Sequence, residues 1–302
     1  SNGLPKLSVS GESKFIGEEI MSNRSGNLKR LIELGQSAWY DNISRDLIEG
    51  GQIKQLIDDG VRGLTSNPSI FEKAVSSSSI YDEDILSYSR DEFSDLYVYE
   101  RLAVKDIQSA ADLLKDIYAS SDGTDGFVSL EVNPHLANDT KNTIAEGQRL
   151  VDLVDRDNLM IKVPGSKEGL PAITELISRS INVNVTLIFS NAVYSEVRKA
   201  YLAGLEKLLS NGGDVSKVSS VASFFVSRVD TVVDSQLETI DSTESRLLLS
   251  TVAIANAKQA YRDFRIEFSS DRFVKLEKVY GANVQKPLWA STSTKNPELS
   301  DV

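Results

Sequence analysis

Seven short apolar, β-branched runs punctuate the chain, at residues 37–43, 61–66, 126–132, 159–163, 181–189, 219–227 and 286–291. Most are apolar almost throughout rather than alternating, the pattern of strands in a parallel sheet covered on both faces. Between them the period becomes helical. Ile53, Leu56 and Ile57 form an i, i+3, i+4 stripe; Ala103, Ile107, Ala110, Leu114 and Ile117 extend one over four turns. Ile144, Gln148, Val151 and Val154 carry one polar position, and Val193, Val197, Ala200 and Tyr201 are apolar on one face. Strands alternating with helices predict βαβ units and a parallel sheet. The gap between 67 and 126 exceeds one crossover, so Phe71 to Arg90 is expected to hold extra helix or a lid before a helix over 100–119. The stretch 229–283 is expected to hold two helices before the seventh strand.

Polar residues that break or close the apolar runs are the candidates for chemistry. Lys162 lies in Leu159-Met160-Ile161-Lys162-Val163-Pro164. Desolvation disfavours an ammonium, and a neutral amine can form a Schiff base with a carbonyl. Asp41 and Glu131 sit in similarly apolar runs, so one buried lysine and two buried carboxylates, each on its own strand, point to carbonyl chemistry. In a parallel barrel the active site lies at the C-terminal strand ends. There stand Asp41 and Asn42; Thr65, Ser66 and Asn67; Glu131 and Asn133; Ser223, Ser227 and Arg228; and Ser291 to Lys295. Asn182, Asn184 and Thr186 alternate along the fifth run and therefore share a face. Each has a plainer reading. Asn67-Pro68 is a turn signal, Asp41 or Ser44 could cap a helix, and a lone strand-end lysine usually pairs with a carboxylate. His135 is expected at the surface. Gly165-Ser166-Lys167 lacks a full phosphate-loop pattern.

Composition narrows the classes. At 302 residues and 40% hydrophobic, the chain suffices for one large domain. Its formal charge of -11 offers no basic stripe for nucleic acid. Without cysteine, disulfides, thiol catalysis and thiolate metal sites are excluded, and one histidine cannot build a His-rich metal site. No apolar run reaches membrane-span length. Residues 1–28 are polar, Ser- and Gly-containing and lack a signal-peptide core, so they read as a flexible leader. A cytoplasmic location is expected, with an organelle such as a plastid, after import-peptide removal, as the alternative.

The strand-end residues also sit in longer motifs. These are Trp39-Tyr40-Asp41-Asn42, Thr65-Ser66-Asn67-Pro68, Ser129-Leu130-Glu131-Val132, Met160-Ile161-Lys162-Val163-Pro164, and Asn182 through Ser190. Ser223-Phe224-Phe225-Val226-Ser227-Arg228 and Trp289 through Asn296 complete the series. In this order, from about Leu31 onward, the chain resembles the transaldolase family of class I, Schiff-base aldolases. The resemblance implies an α/β fold, the (β/α)8 TIM barrel. Only seven strands are counted, so the eighth strand and closing helices are expected to be lacking here. Residues 29–302 would form a single barrel domain with a helical insertion around 69–100.

By the same resemblance Lys162 forms the Schiff base, and Asp41 takes and returns the proton as the C3–C4 bond breaks and forms. Glu131 and Thr186 hold a proton-shuttling water. Substrate binding falls to Thr65, Asn67, Asn184, Ser223, Phe225, Arg228, Ser291 and Lys295, with Arg228 on the phosphate. Where many relatives carry a second phosphate-binding arginine, this chain reads Ser-Thr-Ser-Thr-Lys. No cofactor and no metal are required. The implied activity belongs to the pentose phosphate pathway. A dihydroxyacetone unit moves from sedoheptulose 7-phosphate or fructose 6-phosphate to glyceraldehyde 3-phosphate or erythrose 4-phosphate. The rivals are a fructose-6-phosphate aldolase-type enzyme and a non-catalytic sugar-phosphate-binding relative. The expected partners are sugar-phosphate substrates and, for self-association, a homodimer, with neither nucleic acid nor membrane.

Overall fold

A computed structural model describes residues 26–89 and 93–293. Seven strands lie among them: β1 (Ala38–Tyr40), β2 (Val61–Thr65), β3 (Phe127–Glu131), β4 (Leu159–Pro164), β5 (Val183–Ile188), β6 (Ser220–Phe225) and β7 (Gln285–Ala290). Each falls on one of the seven apolar runs, and no eighth is found among the described residues. The chain is α/β and divides into two compact units.

Unit 1 runs through Ser121 and includes Asp125–Phe127. Its β1 and β2 pair in parallel, with Tyr40 opposite Leu64. Its helices are α1 over 26–33, α2 (Arg45–Glu49), α3 (Gln52–Asp59), α4 (Pro68–Ser77), α5 (Asp82–Ser89) and α6 (Asp95–Ser120). The long stripe read from the sequence is the buried face of α6, with Leu102, Ile107, Ala110 and Leu114 inside. The segment from Phe71 is helical, as the long gap required. Phe71 meets Tyr81 and Tyr99 edge to face, at centroid distances of 6.0 and 5.1 Å, a geometry that aromatic quadrupoles favour.

Unit 2 comprises Asp122–Thr124 and Val128 onward. From Val128 of β3 through β7, every strand pairs in parallel with its sequence neighbour. β4 is buried along Leu159–Val163, as expected of a strand covered on both faces. Its helices are α7 (Thr140–Val154), α8 (Gly169–Ser178), α9 (Asn191–Ser210), α10 (Ser227–Ile240), α11 (Thr243–Leu247), α12 (Val252–Glu267) and α13 (Asp271–Tyr280). Two sequence expectations are corrected. The buried face of α7 is Thr143, Gly147, Leu150 and Val154; it shares Val154 with the stripe anticipated, and its other three positions each lie one residue earlier. The stretch before β7 holds four helices rather than two. Asp241 adopts a left-handed conformation and Ser242 starts a capping box with Ser245. Ser270 caps α13. These local polar signals stop helices that apolar periodicity alone would run together. No described helix is long and apolar enough to cross a membrane.

Candidate active site

In unit 2 the site grows from strand register. β3 and β4 place Glu131 opposite Lys162, and β4 and β5 place Lys162 opposite Asn184. Lys162 is only 8% exposed. Its Nζ lies 3.3 Å from Glu131 Oε2, in a pair largely removed from water. The burial inferred from the apolar run is therefore observed, and so is the carboxylate partner of the plainer reading.

A polar belt spans the same strands. Asn184 is fully buried. Its Nδ2 donates to Ser129 Oγ at 3.0 Å, and its Oδ1 accepts from Ser223 Oγ at 2.7 Å. One amide thus ties β3 to β5 and β5 to β6, meeting the demand that buried polar groups be paired. Ser129 was not singled out in the sequence, although it lies two residues before Glu131 and period two puts both on one face. Asn182, grouped with Asn184 and Thr186, does other work. It donates to the carbonyls of Asp157 and Leu159 and accepts from the Ser219 N–H, clamping the strand bases.

Thr186 is buried, and its carbonyl accepts from the Gly165 N–H at 2.8 Å. Between Val185 and Ile188 the β5–β6 register shifts, and Leu187 takes a φ of 59° with its side chain exposed. Such bulges re-aim side chains, and periodicity gave no sign of this one. At the end of β6, the Phe189 and Phe225 rings lie 4.9 Å apart by centroid. The Arg228 guanidinium sits 5.1 Å from the Phe225 ring centre, and Arg228 is exposed at the start of α10. Ser227 Oγ and Ser291 Oγ are 2.7 Å apart, tying α10 to the end of β7. Both serines stand among the strand-end residues read from the sequence. Lys295 lies outside the described residues.

In unit 1, Asp41 follows the last residue of β1 and is exposed. This corrects the expectation of a buried carboxylate: β1 is three residues long and ends before Asp41. Thr65, closing β2, donates to Asp41 Oδ1 at 2.5 Å. Ser44, not Asp41, caps α2. Asn67 caps α4, its Oδ1 accepting from the Ile70 N–H at 3.0 Å with Pro68 at the first helical position. His135 is exposed, as expected.

The unit 2 arrangement brings together a shielded amine, a carboxylate within reach of it, buried hydroxyls on neighbouring strands and an exposed guanidinium at a helix start. An amine can add to a carbonyl, the carboxylate can relay protons, and the cation can meet an anion.

Residues 38–302 match the family model described as transaldolase/fructose-6-phosphate aldolase. The chain is 46% identical to a transaldolase of Trichodesmium erythraeum over 287 residues, covering 92% of this chain and 75% of that relative. It is 48% identical to a transaldolase of Mycolicibacterium smegmatis, covering 91% and 74%. Identity to a transaldolase of Mycobacterium tuberculosis is 46%, covering 93% and 76%.

Proposed function

The chain belongs to the transaldolase/fructose-6-phosphate aldolase family and is a transferase of the transaldolase type, and from that premise we propose that it transfers its three-carbon unit as a covalent Schiff base on Lys162. The observation that carries this reading is the burial of Lys162 on β4 beside Glu131. A shielded amine is the group that can add to a ketone, and the position of Glu131 opposite it supports a proton relay there.

Lys162 Nζ attacks C2 of a ketose phosphate, fructose 6-phosphate or sedoheptulose 7-phosphate, to give a carbinolamine. Glu131 and Thr186 hold the water that carries protons as hydroxide is lost and the iminium forms. Asp41 removes the C4 hydroxyl proton and the C3–C4 bond breaks. The aldose phosphate departs, and the electron pair passes into the iminium as an enamine. The enamine carbon then attacks the acceptor aldehyde, glyceraldehyde 3-phosphate or erythrose 4-phosphate, and Asp41 returns the proton. Hydrolysis frees the new ketose and Lys162. Asn67, Asn184 and Ser223 bind hydroxyls of the dihydroxyacetone unit. Arg228, aided by Ser291 and Lys295, meets the phosphate, and Phe225 and Thr65 line the approach. The pentose phosphate pathway is the setting this chemistry fits. The fold that goes with it is the family's (β/α)8 barrel, a reading supported by parallel pairing of sequence-adjacent strands alternating with helices.

Borohydride reduction in the presence of fructose 6-phosphate, followed by peptide mass spectrometry, tests the proposal. The expected result is a reduced three-carbon adduct on Lys162, absent in Lys162→Met. Adducts scattered over surface lysines would overturn it. Steady release of dihydroxyacetone without an acceptor would assign the chemistry to an aldolase instead.

A further inference from the structure

Four residues beyond Asp41, the chain is pinned by a buried charged cluster that no step above uses. Arg45, the first residue of α2, is 5% exposed. Its Nε donates to Asp106 Oδ1 on α6 at 2.9 Å, and its Nη1 to Asp84 Oδ2 on α5 at 2.5 Å. Its backbone N–H donates to Tyr81 Oη at 2.8 Å. The Tyr81 hydroxyl in turn donates to Asp106 Oδ2 at 2.7 Å, and the Arg45 guanidinium lies 4.5 Å from the Tyr81 ring centre. Lys105 closes the outer side by donating to Asp84 at 2.8 Å.

A buried ion network of this kind is a weak way to gain stability, because desolvating the charges offsets most of their attraction. Apolar side chains of similar volume would hold α2 against α5 and α6 as well. What the network adds is direction. A guanidinium fork fixes its partners in a plane, and the shared tyrosine hydroxyl fixes the backbone of Arg45 itself. Asp41, by contrast, is exposed and has little packing of its own to orient it. Its aim depends on Thr65 on one side and on the course of the chain on the other. That chain is short and taut: Ile43 is buried, Ser44 caps α2, and Arg45 is locked.

We infer that the Arg45–Tyr81–Asp106–Asp84 cluster is a positioning device that sets the Asp41 carboxylate for proton transfer; this rests on the reading of Asp41 as the acid–base. A merely structural cluster would affect every step alike through the folded fraction. A positioning cluster affects only the step that uses Asp41, the cleavage and formation of C3–C4, and leaves Schiff-base formation on Lys162 intact.

Tyr81→Phe is the cleanest probe, since it removes the shared hydroxyl and keeps the ring. With fructose 6-phosphate, kcat is expected to fall about 10- to 100-fold, the scale of a carboxylate displaced by under an ångström to about one ångström. Borohydride should still label Lys162, but the adduct mass should move from the three-carbon species to the intact six-carbon ketose phosphate. Arg45→Lys, which keeps the charge and loses the fork, should show the same pattern. In an Asp41→Asn background, Tyr81→Phe should cause no further loss of kcat, because effects acting through one residue are not additive. Wild-type kcat in folded Tyr81→Phe would overturn the inference. So would a loss of labelling equal to the loss of kcat, or additive losses in the double variant. Full activity in Asp41→Asn alone would remove the acid–base reading, and a wild-type enzyme that labels no lysine would remove the Schiff base. The failures are therefore separable.

Discussion

Gly169 is where a single methyl group should disturb both stability and chemistry. It is the first residue of α8, just past the strand that carries Lys162. A Cβ built on it would lie 2.0 Å from the Pro164 carbonyl oxygen and 3.1 Å from Ser166 Oγ, whereas real Cβ contacts essentially never fall below 3.0 Å. Gly169→Ala therefore demands a displacement of about 1 Å between the end of β4 and the start of α8. Neither side yields freely. β4 is hydrogen-bonded between β3 and β5, and Ala172, Ile173 and Leu176 of α8 are fully buried. Overpacking of this kind costs about 1–3 kcal/mol. Pro164 is two residues from Lys162, and Gly165 holds the Thr186 carbonyl, so part of the shift reaches the amine and its neighbours. A shift approaching an ångström at a reacting group costs up to about 100-fold in rate. Urea unfolding and steady-state turnover of Gly169→Ala should show both losses. Gly204→Ala is the control: its Cβ would meet Ile177 at 2.7 Å and Thr174 at 3.0 Å, on the packing surface between α8 and α9. It should lose comparable stability and keep kcat. Wild-type turnover in Gly169→Ala, or equal loss of kcat in both variants, would refute a strand-borne displacement of the site.

Two further outcomes follow from the belt and the surface charges. Asn184→Leu removes the acceptor of the buried Ser223 hydroxyl and should cost about 1–3 kcal/mol in urea unfolding; adding Ser223→Ala should restore part of that loss. Glu206 is held below the usual carboxylate range by its two hydrogen bonds from Arg272, at 2.7 and 2.8 Å, against a smaller opposing effect of burial. A lowered folded-state value means stability that is present above about pH 4 and lost as pH falls through the folded value. Arg272→Met should therefore be less stable than wild type at pH 7, by no more than about 1 kcal/mol because both side chains are well exposed, and the gap should close as acid protonates Glu206. A gap that widens on acidification would contradict this sign.

The strands were legible in sequence because burial on both faces leaves a run of apolar residues that nothing else in the chain resembles. All seven runs became strands, and the polar residues that close them stand at the strand ends, as read from the sequence. Lys162 was legible for the same reason, as a charge placed where a charge is costly. The helices before β7 were miscounted because their boundaries depend on single polar caps at Ser242 and Ser270, which carry little weight beside apolar periodicity. The exposure of Asp41 was not legible either: the run around it is apolar, and only the register of β1 against β2 decides where the strand stops.

What only the tertiary structure decided is which polar residues share a partner. Glu131 meets Lys162, Asn184 spans Ser129 and Ser223, and Arg45 meets Asp84 and Asp106 across as many as 61 residues of chain. Sequence by itself determined the seven strands and the polar residues that break or close them, because a strand covered on both faces follows from a local apolar run, whereas the face of α7 and the number of helices before β7 did not follow from periodicity alone. The pairings depend on strand register and helix packing, which are set by the sum of many burial terms over the whole core, and no single segment contains that sum.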